Sequence, residues 1–272
     1  MRSFLLGIVA LVALVGGSAM AADLPIRYEQ RPVMPGVFSW TGWYVGGFVG
    51  GAWGGNAHTS DPCNAAAPFG CRLTPLGGEV VSYPMSSNFI GGVAAGYNYQ
   101  IPGSAIVFGL ETEFGALRLK GSSSFAPVSP VASAGNLVAN ATIGPWYNAT
   151  TVRIGWAWDR MMFYGKGGFA LSTIESTIVD TTGIFGPGTG KRDILGWAWG
   201  AGMEYVFAPR WSVKAEYLWL GLNHGVGVCA VVAPGAPGAG ATYCSNTATS
   251  AVQTAKIGVN YLLNVGPVYA RY

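Results

Sequence analysis

Charge is the scarcest resource in this chain. Only 10% of its 272 residues are Asp, Glu, Lys or Arg, against about 25% in ordinary soluble domains. No Lys/Arg-rich run occurs, and a net charge of +3 is too small to hold a polyanion, so nucleic-acid binding is excluded as a function class. Long apolar runs are missing too. Half of the residues are apolar, yet nothing beyond the N-terminus offers the ~20 unbroken apolar residues of a membrane helix. Histidine is limited to His58 and His224, and cysteine to Cys63, Cys71, Cys229 and Cys244. What is plentiful is glycine, at 42 residues, and aromatics, at 13%. Trp, Tyr and Phe are spread evenly, which argues against a low-complexity chain.

The first residues read as an export address. Arg2 supplies a positive start, Phe4 to Val15 an apolar core too short for a membrane span, and Ala19-Met20-Ala21 a small-residue cleavage site. The expectation is a cleaved signal peptide over 1–21 and a mature chain starting near Ala22. An exported, apolar chain without helices can still satisfy its backbone in lipid if it closes a β-barrel, because closure leaves no unpaired edge.

Alternation of period two supports that reading. In "LGWAWGAGMEYVF" (195–207), Trp197, Trp199, Ala201, Met203 and Tyr205 share one side, and Gly196, Gly200, Gly202 and Glu204 the other. Similar stretches lie at 41–54, 87–100, 104–118, 147–158, 161–174, 211–222 and 251–263. Each supplies the ~9–11 residues of a tilted spanning strand. The gaps alternate in length. Ile101-Pro102-Gly103, Asp159-Arg160 and Ala208-Pro209-Arg210 are short, with Pro-Gly suited to a type II turn; 55–86, 119–146, 175–193 and 223–250 are long and read as loops. The predicted fold is therefore all-β: an eight-stranded, antiparallel, up-and-down transmembrane barrel over 41–263. An extension over 22–40 and a tail over 264–272 flank it. Short turns and both termini are expected in the periplasm, and long loops outside.

Pointing charged residues inward fixes the parity of each strand. Aromatics then face outward beside every short turn: Tyr97, Tyr99 and Phe108; Trp156, Trp158 and Phe163; Tyr205, Phe207 and Trp211. Such a girdle belongs at the lipid head-group level. The same parity collects Glu111, Glu113, Arg153, Lys166, Glu204, Lys214, Glu216 and Lys256 in the lumen, four acids against four bases. Gly92, Gly96, Gly109, Gly155, Gly168, Gly200 and Gly202 share that face. A barrel of eight strands is just wide enough for its own side chains, so small residues make room for long charged ones to meet. Unpaired buried ions cost several kcal/mol each, so these should pair and plug the lumen; a narrow conductance along it is the functional alternative. Leu218 and Leu220 also land inside, which predicts a bulge or an early end in the seventh strand.

These residues carry a resemblance. "SWTGWYVGGFVGGAWGG" (39–55), preceded by "AADLP", resembles the start of the small outer-membrane β-barrel family of alphaproteobacteria, often labelled "porin family". "GWAWGAGMEYVFAPRWSVKAEYLWL" (196–220) is similar to that family's sixth strand, turn and seventh strand, and "TAKIGVNYLL" (254–263) to its last. In the last strand Lys256, Gly258, Tyr261 and Leu263 resemble the signal read by the barrel-assembly machinery, although members often end in Phe. The resemblance implies a location in the outer membrane, among its lipids and lipopolysaccharide. Relatives are described as surface antigens, structural barrels, weak porins or haemin binders, so it implies architecture more firmly than activity.

Little else carries chemistry. All four cysteines fall in the expected outer loops, an oxidising setting. Three pairings are possible; Cys63–Cys71 with Cys229–Cys244 closes the shortest loops, and bonds between the first and fourth loops stay open. A metal site of His58, His224 and thiolates fits no zinc spacing. Catalysis would need His beside Ser and a carboxylate. His224 has no Ser or acid on its parity, and His58 next to Thr59, Ser60 and Asp61 reads as exposed loop, so no enzyme is expected. Either histidine is at most a weak haem candidate, and no cofactor is expected. "GPGTGKR" (186–192) fails as a phosphate loop, with Phe185 where Gly is required and Arg192 where Ser or Thr is, and reads as a surface loop.

Overall fold

The computed structural model describes residues 38–60, 80–125, 137–181, 183, 186–222, 225–231, 233–235, 239–240 and 242–263. The expected signal peptide, most of the extension, the tail, Cys63, Cys71 and His224 lie outside the described residues.

Thirteen β-strands make up the described fold. They are β1 (Gly42–Gly54), β2 (Asn56–Ser60), β3 (Val80–Pro84), β4 (Ser87–Gln100), β5 (Ile106–Ala116), β6 (Leu119–Phe125) and β7 (Leu137–Trp158). They continue as β8 (Met161–Asp180), β9 (Gly188–Ala208), β10 (Trp211–Gly221), β11 (Gly225–Val231), β12 (Thr242–Thr249) and β13 (Val252–Leu262). The order β5-β4-β1-β13-β10-β9-β8-β7 closes through antiparallel pairing of β5 with β7, giving an eight-stranded barrel. Each side chain alternates between wall and lumen, as in β10, where Trp211, Val213, Ala215 and Tyr217 are exposed and Ser212, Lys214, Glu216 and Leu218 are buried.

The short turns form as the sequence dictates. Ser104 N donates to Ile101 O at 3.0 Å across Pro102-Gly103, and Gly103 takes φ +74°, the left-handed geometry that a side chain would resist. Asp159 adopts φ 50° in the second turn, one of the few residue types that tolerate it.

Beyond the membrane the structure departs from the expected loops. Only ~9–11 residues are needed to span, yet β7 has 22 and β9 has 21. Residues 119–125, 137–146, 175–180, 188–193, 225–231 and 242–249 are strand, as are 56–60 and 80–84. The segment 186–192 is therefore not a loop throughout, since Gly188 to Arg192 run in β9 opposite β8. Each short strand prolongs a barrel strand: β2 follows β1, β3 precedes β4, β6 follows β5, β11 follows β10 and β12 precedes β13. The outer pairings repeat the barrel's neighbours, in two groups: β11-β12-β2-β3 and β6-β7-β8-β9. No ladder joins the groups among the described residues. The barrel thus opens into two facing four-stranded sheets. Ala57, Tyr83, Ala139, Ala141, Ile174 and Val226 pack between them, and Ser176 Oγ bonds Thr247 Oγ1 across the gap at 2.9 Å.

Two further expectations change. Pairing of β10 with β13 and β9 runs unbroken past Leu218 and Leu220, and its register shift lies at Trp211/Ser212 instead. Both leucines are fully buried in an apolar layer, so no bulge is needed to expel them. At the other end, Trp40 leaves the expected extension and fills the barrel mouth. It is 3% exposed, its indole Nε1 donates to Asp159 O at 3.1 Å, and its backbone N donates to Gln100 Oε1 at 3.0 Å.

Candidate functional site

The lumen is built in three layers. At the short-turn end Trp40, Val107, Met162, Val206 and Leu262 form an apolar floor with the rings of Tyr44 and Tyr164. At the opposite end Phe48, Leu117, Ile143, Tyr147, Leu218 and Leu220 begin a larger apolar cluster that runs into the sandwich. Between them lie Glu111, Glu113, Arg153, Lys166, Glu204, Lys214, Glu216 and Lys256, all buried. Parity alone places them on one face, and register places them at one height. Glu216 lies opposite Lys256 and Gly202; Lys214 lies opposite Glu204 and Gly258; Arg153 lies opposite Lys166 and Gly109.

Every charge in this layer meets its opposite. Glu111 Oε1 accepts from Lys166 Nζ and its Oε2 from Lys214 Nζ, both at 2.8 Å. Glu113 holds Lys256 Nζ with both oxygens, at 2.6 and 2.8 Å. Lys166 and Lys256 both approach Glu216 Oε1 at 2.8 Å, as ion pairs without hydrogen-bond alignment. Arg153 NH1 donates to Glu204 Oε2 at 3.2 Å and its Nε to Asn98 Oδ1 at 2.8 Å. Its guanidinium carbon lies 4.6 Å from the Tyr44 ring centre and 5.0 Å from that of Tyr164, a double cation–π contact. Glu111, Glu113 and Glu216 converge closely enough to hold a cation, but three lysine ammoniums already occupy their oxygens.

Neutral partners join the network, and alternation among the charged residues did not name them. Tyr44 OH donates to Glu111 Oε2 at 2.8 Å and Tyr164 OH to Glu216 Oε2 at 3.0 Å. Ser212 Oγ and Asn260 Nδ2 donate to Glu204 Oε1 at 2.5 and 2.7 Å. Tyr164, Ser212 and Asn260 share the parity of the charges on their own strands, so alternation carried the signal there, whereas β1 has no charge to mark Tyr44. Gly109 makes room for a charged side chain, since a Cβ there would stand 2.7 Å from Arg153 Cγ; on Gly200 and Gly168 a Cβ would instead meet neighbouring backbone, 2.1 Å from Tyr217 O and from Thr150 O.

The outer wall is apolar. Tyr99, Phe108, Trp156, Trp158, Phe163, Tyr205, Phe207 and Trp211 are exposed on it, and Tyr97 is half-buried against Trp43. A second ring, not anticipated, lies at the opposite edge: Phe114 with Trp146, Phe169 with Trp197, Trp199 with Trp219, and Trp53 with Tyr217. Trp43 and Trp53, one in each ring on β1, are ten residues apart. That is about 34 Å along a strand and about 26 Å along the barrel axis at ~40° tilt, against a lipid-facing band of ~25 Å. Within the band Thr112, Asn148 and Thr150 form a polar patch that satisfies itself, with Asn148 Nδ2 also donating to Glu113 O at 2.9 Å. In the last strand Lys256 and Gly258 face the lumen, Tyr261 is half-buried against Trp211, and Leu263 is exposed just past β13.

Outside the membrane, Cys229 and Cys244 lie opposite each other in the β11–β12 hairpin and form a disulfide. His58 sits on β2 opposite Ser82 of β3, not in a loop, with Nδ1 and Oγ 2.7 Å apart. Among the described residues no carboxylate orients that imidazole, so the pair is a cross-strand hydrogen bond.

Comparison with known sequences identifies the family. A family model described as outer membrane protein beta-barrel domain matches residues 9–262. The 31 kDa outer-membrane immunogenic protein of Brucella melitensis is 33% identical over 231 residues, covering 82% of this chain and 88% of its own; that of Brucella suis matches equally. Among solved structures, the outer membrane protein OprG from Pseudomonas aeruginosa aligns over 82% of this chain and 97% of its own, at 11% identity and a TM-score of 0.48. A closed wall with an oily belt, a matched family model and relatives at this identity lead to one conclusion: the chain belongs to the small outer-membrane β-barrel family of alphaproteobacteria.

Proposed function

We propose that this protein is a structural surface barrel whose lumen is sealed, with short turns and both termini in the periplasm and the long strands outside. The carrying observation is the neutral eight-charge layer enclosed between two apolar layers. An ion entering it would have to displace contacts as short as 2.6 Å and then cross an apolar layer on either side. Desolvation of charges in such a layer is costly, and their mutual pairing offsets it. The Brucella relatives are named as immunogenic, which fits an outer sandwich exposed to the surroundings. The last strand, with Lys256, Gly258, Tyr261 and Leu263, is the segment offered to the assembly machinery, and lipopolysaccharide is the outer neighbour. Swelling of proteoliposomes in arabinose or glycine solution tests the sealed lumen. Rates equal to those of protein-free vesicles are expected, and swelling that scales with protein load would make this a weak porin instead.

A further inference from the structure

Six of the described cations lie outside the lumen, and they are not scattered. Arg160 and Arg210 sit at short turns; Arg118, Lys120, Lys191 and Arg192 all lie beyond the outer aromatic ring, on the β6–β9 side. The opposite side of the barrel presents Trp53, Ser87, Trp219 and Gln253 near that level, without a cation. Two of the four, Arg118 and Lys120, stand at a seam. Where β3 parts from β6, a cleft of about 580 Å³ opens on the outer face, lined by Ser86, Arg118, Lys120, Asn140, Thr142 and Glu175 among others. Backbone contacts fix its floor: Ser86 N donates to Lys120 O at 2.7 Å, and Asn88 Nδ2 to Arg118 O at 2.8 Å. Arg118 and Lys120 are exposed, and neither forms an ion pair among the described residues.

Height decides what can enter. Arg118 lies four residues beyond Phe114, and Lys120 pairs with Thr142, four beyond Trp146. At ~3.4 Å per residue and ~40° tilt that is about 10 Å above the ring, just past an interfacial layer of about 5–8 Å per leaflet and within the length of an Arg or Lys side chain of it. A guanidinium and an ammonium side by side select phosphate oxygens, whereas Asn140, Thr142 and Glu175 offer the mixed donors and acceptors that sugar hydroxyls take up.

We propose that this cleft binds a phosphorylated saccharide, presented as the head group of an outer-leaflet glycolipid whose acyl chains lie along the apolar wall below. The inference rests on the orientation proposed above. An epitope inserted at Gly183 and detected on intact cells tests that orientation separately. For binding, the purified barrel in detergent is titrated with bis-phosphorylated lipid A. Saturable binding is expected, weakened at least about tenfold in the double variant Arg118→Gln/Lys120→Gln by loss of two charge-assisted contacts. It should also weaken in Thr142→Trp, which fills the cleft and keeps both charges. Arg160→Gln/Arg210→Gln should bind as the parent does. Equal binding by the Arg118→Gln/Lys120→Gln protein, or by dephosphorylated lipid A to the parent, overturns the site. Binding of free glucosamine 1-phosphate as tight as that of lipid A overturns the membrane source of the ligand.

Discussion

Arg153 is the most exacting place to test the lumen. Replacing it with Met keeps most of the side-chain volume and removes the guanidinium. Four acids would then face three bases. Glu204 loses its ion pair at 3.2 Å, and Glu111 a longer one at 3.8 Å. Glu111 keeps Lys166 and Lys214, each at 2.8 Å, so the uncompensated charge falls on Glu204. Breaking a buried pair from one side costs about 3–5 kcal/mol. Ser212 and Asn260 still donate to Glu204, which argues for the lower end, about 3 kcal/mol. With a urea dependence of about 2–3 kcal/mol per molar, the unfolding midpoint should fall by about 1–1.5 M. The assay is urea unfolding in detergent micelles or vesicles, followed by tryptophan emission. Arg153→Met/Glu204→Gln, which restores neutrality, should recover most of the loss. An unchanged midpoint in the single variant would refute the reasoning, because the charge would then be solvated by water in an open lumen.

Other consequences can be checked in the same way. Gly200→Ala forces a Cβ to 2.1 Å from Tyr217 O; overpacking of about 1–3 kcal/mol is expected, read as a smaller heat-modifiable fraction on gels. Val152→Arg, in mid-band and 60% exposed, should cost about 2–4 kcal/mol, whereas Trp158→Arg at the rim should cost about 0–1 kcal/mol; equal costs would contradict the assigned lipid belt. Non-reducing peptide mapping should recover a Cys229–Cys244 fragment, and Cys229→Ser/Cys244→Ser should increase proteolysis of the outer hairpin while the membrane barrel keeps its gel shift. Free thiols at these positions would contradict the structure.

The spanning part of the fold was legible because lipid imposes a strict rule. Outward positions must be apolar, so Trp197, Trp199 and Tyr205 alternate visibly with Gly196, Gly200 and Glu204. The outer sandwich obeys no such rule. Its strands alternate small residues, as in "GVGVCAV" and "TYCSNTAT", whose two faces differ little in polarity, and so they read as loop. The inward Leu218 and Leu220 break the polar pattern of the lumen face, and only the assembled barrel shows that they belong to an apolar layer contributed by several strands. The outer aromatic ring was missed for a related reason. Its pairs, such as Phe114 with Trp146, are far apart in sequence and meet only once β5 pairs with β7. The contact of His58 with Ser82 likewise depends on the register of β2 with β3, which no single-strand pattern reveals.

The central claim is that eight buried charges neutralise one another and close the lumen. Planar-bilayer recording of the refolded protein, at both polarities and in 1 M KCl, tests it most directly. The account predicts a baseline indistinguishable from that of the protein-free membrane. Steady openings of one uniform size, reproduced in independent insertions, would contradict it.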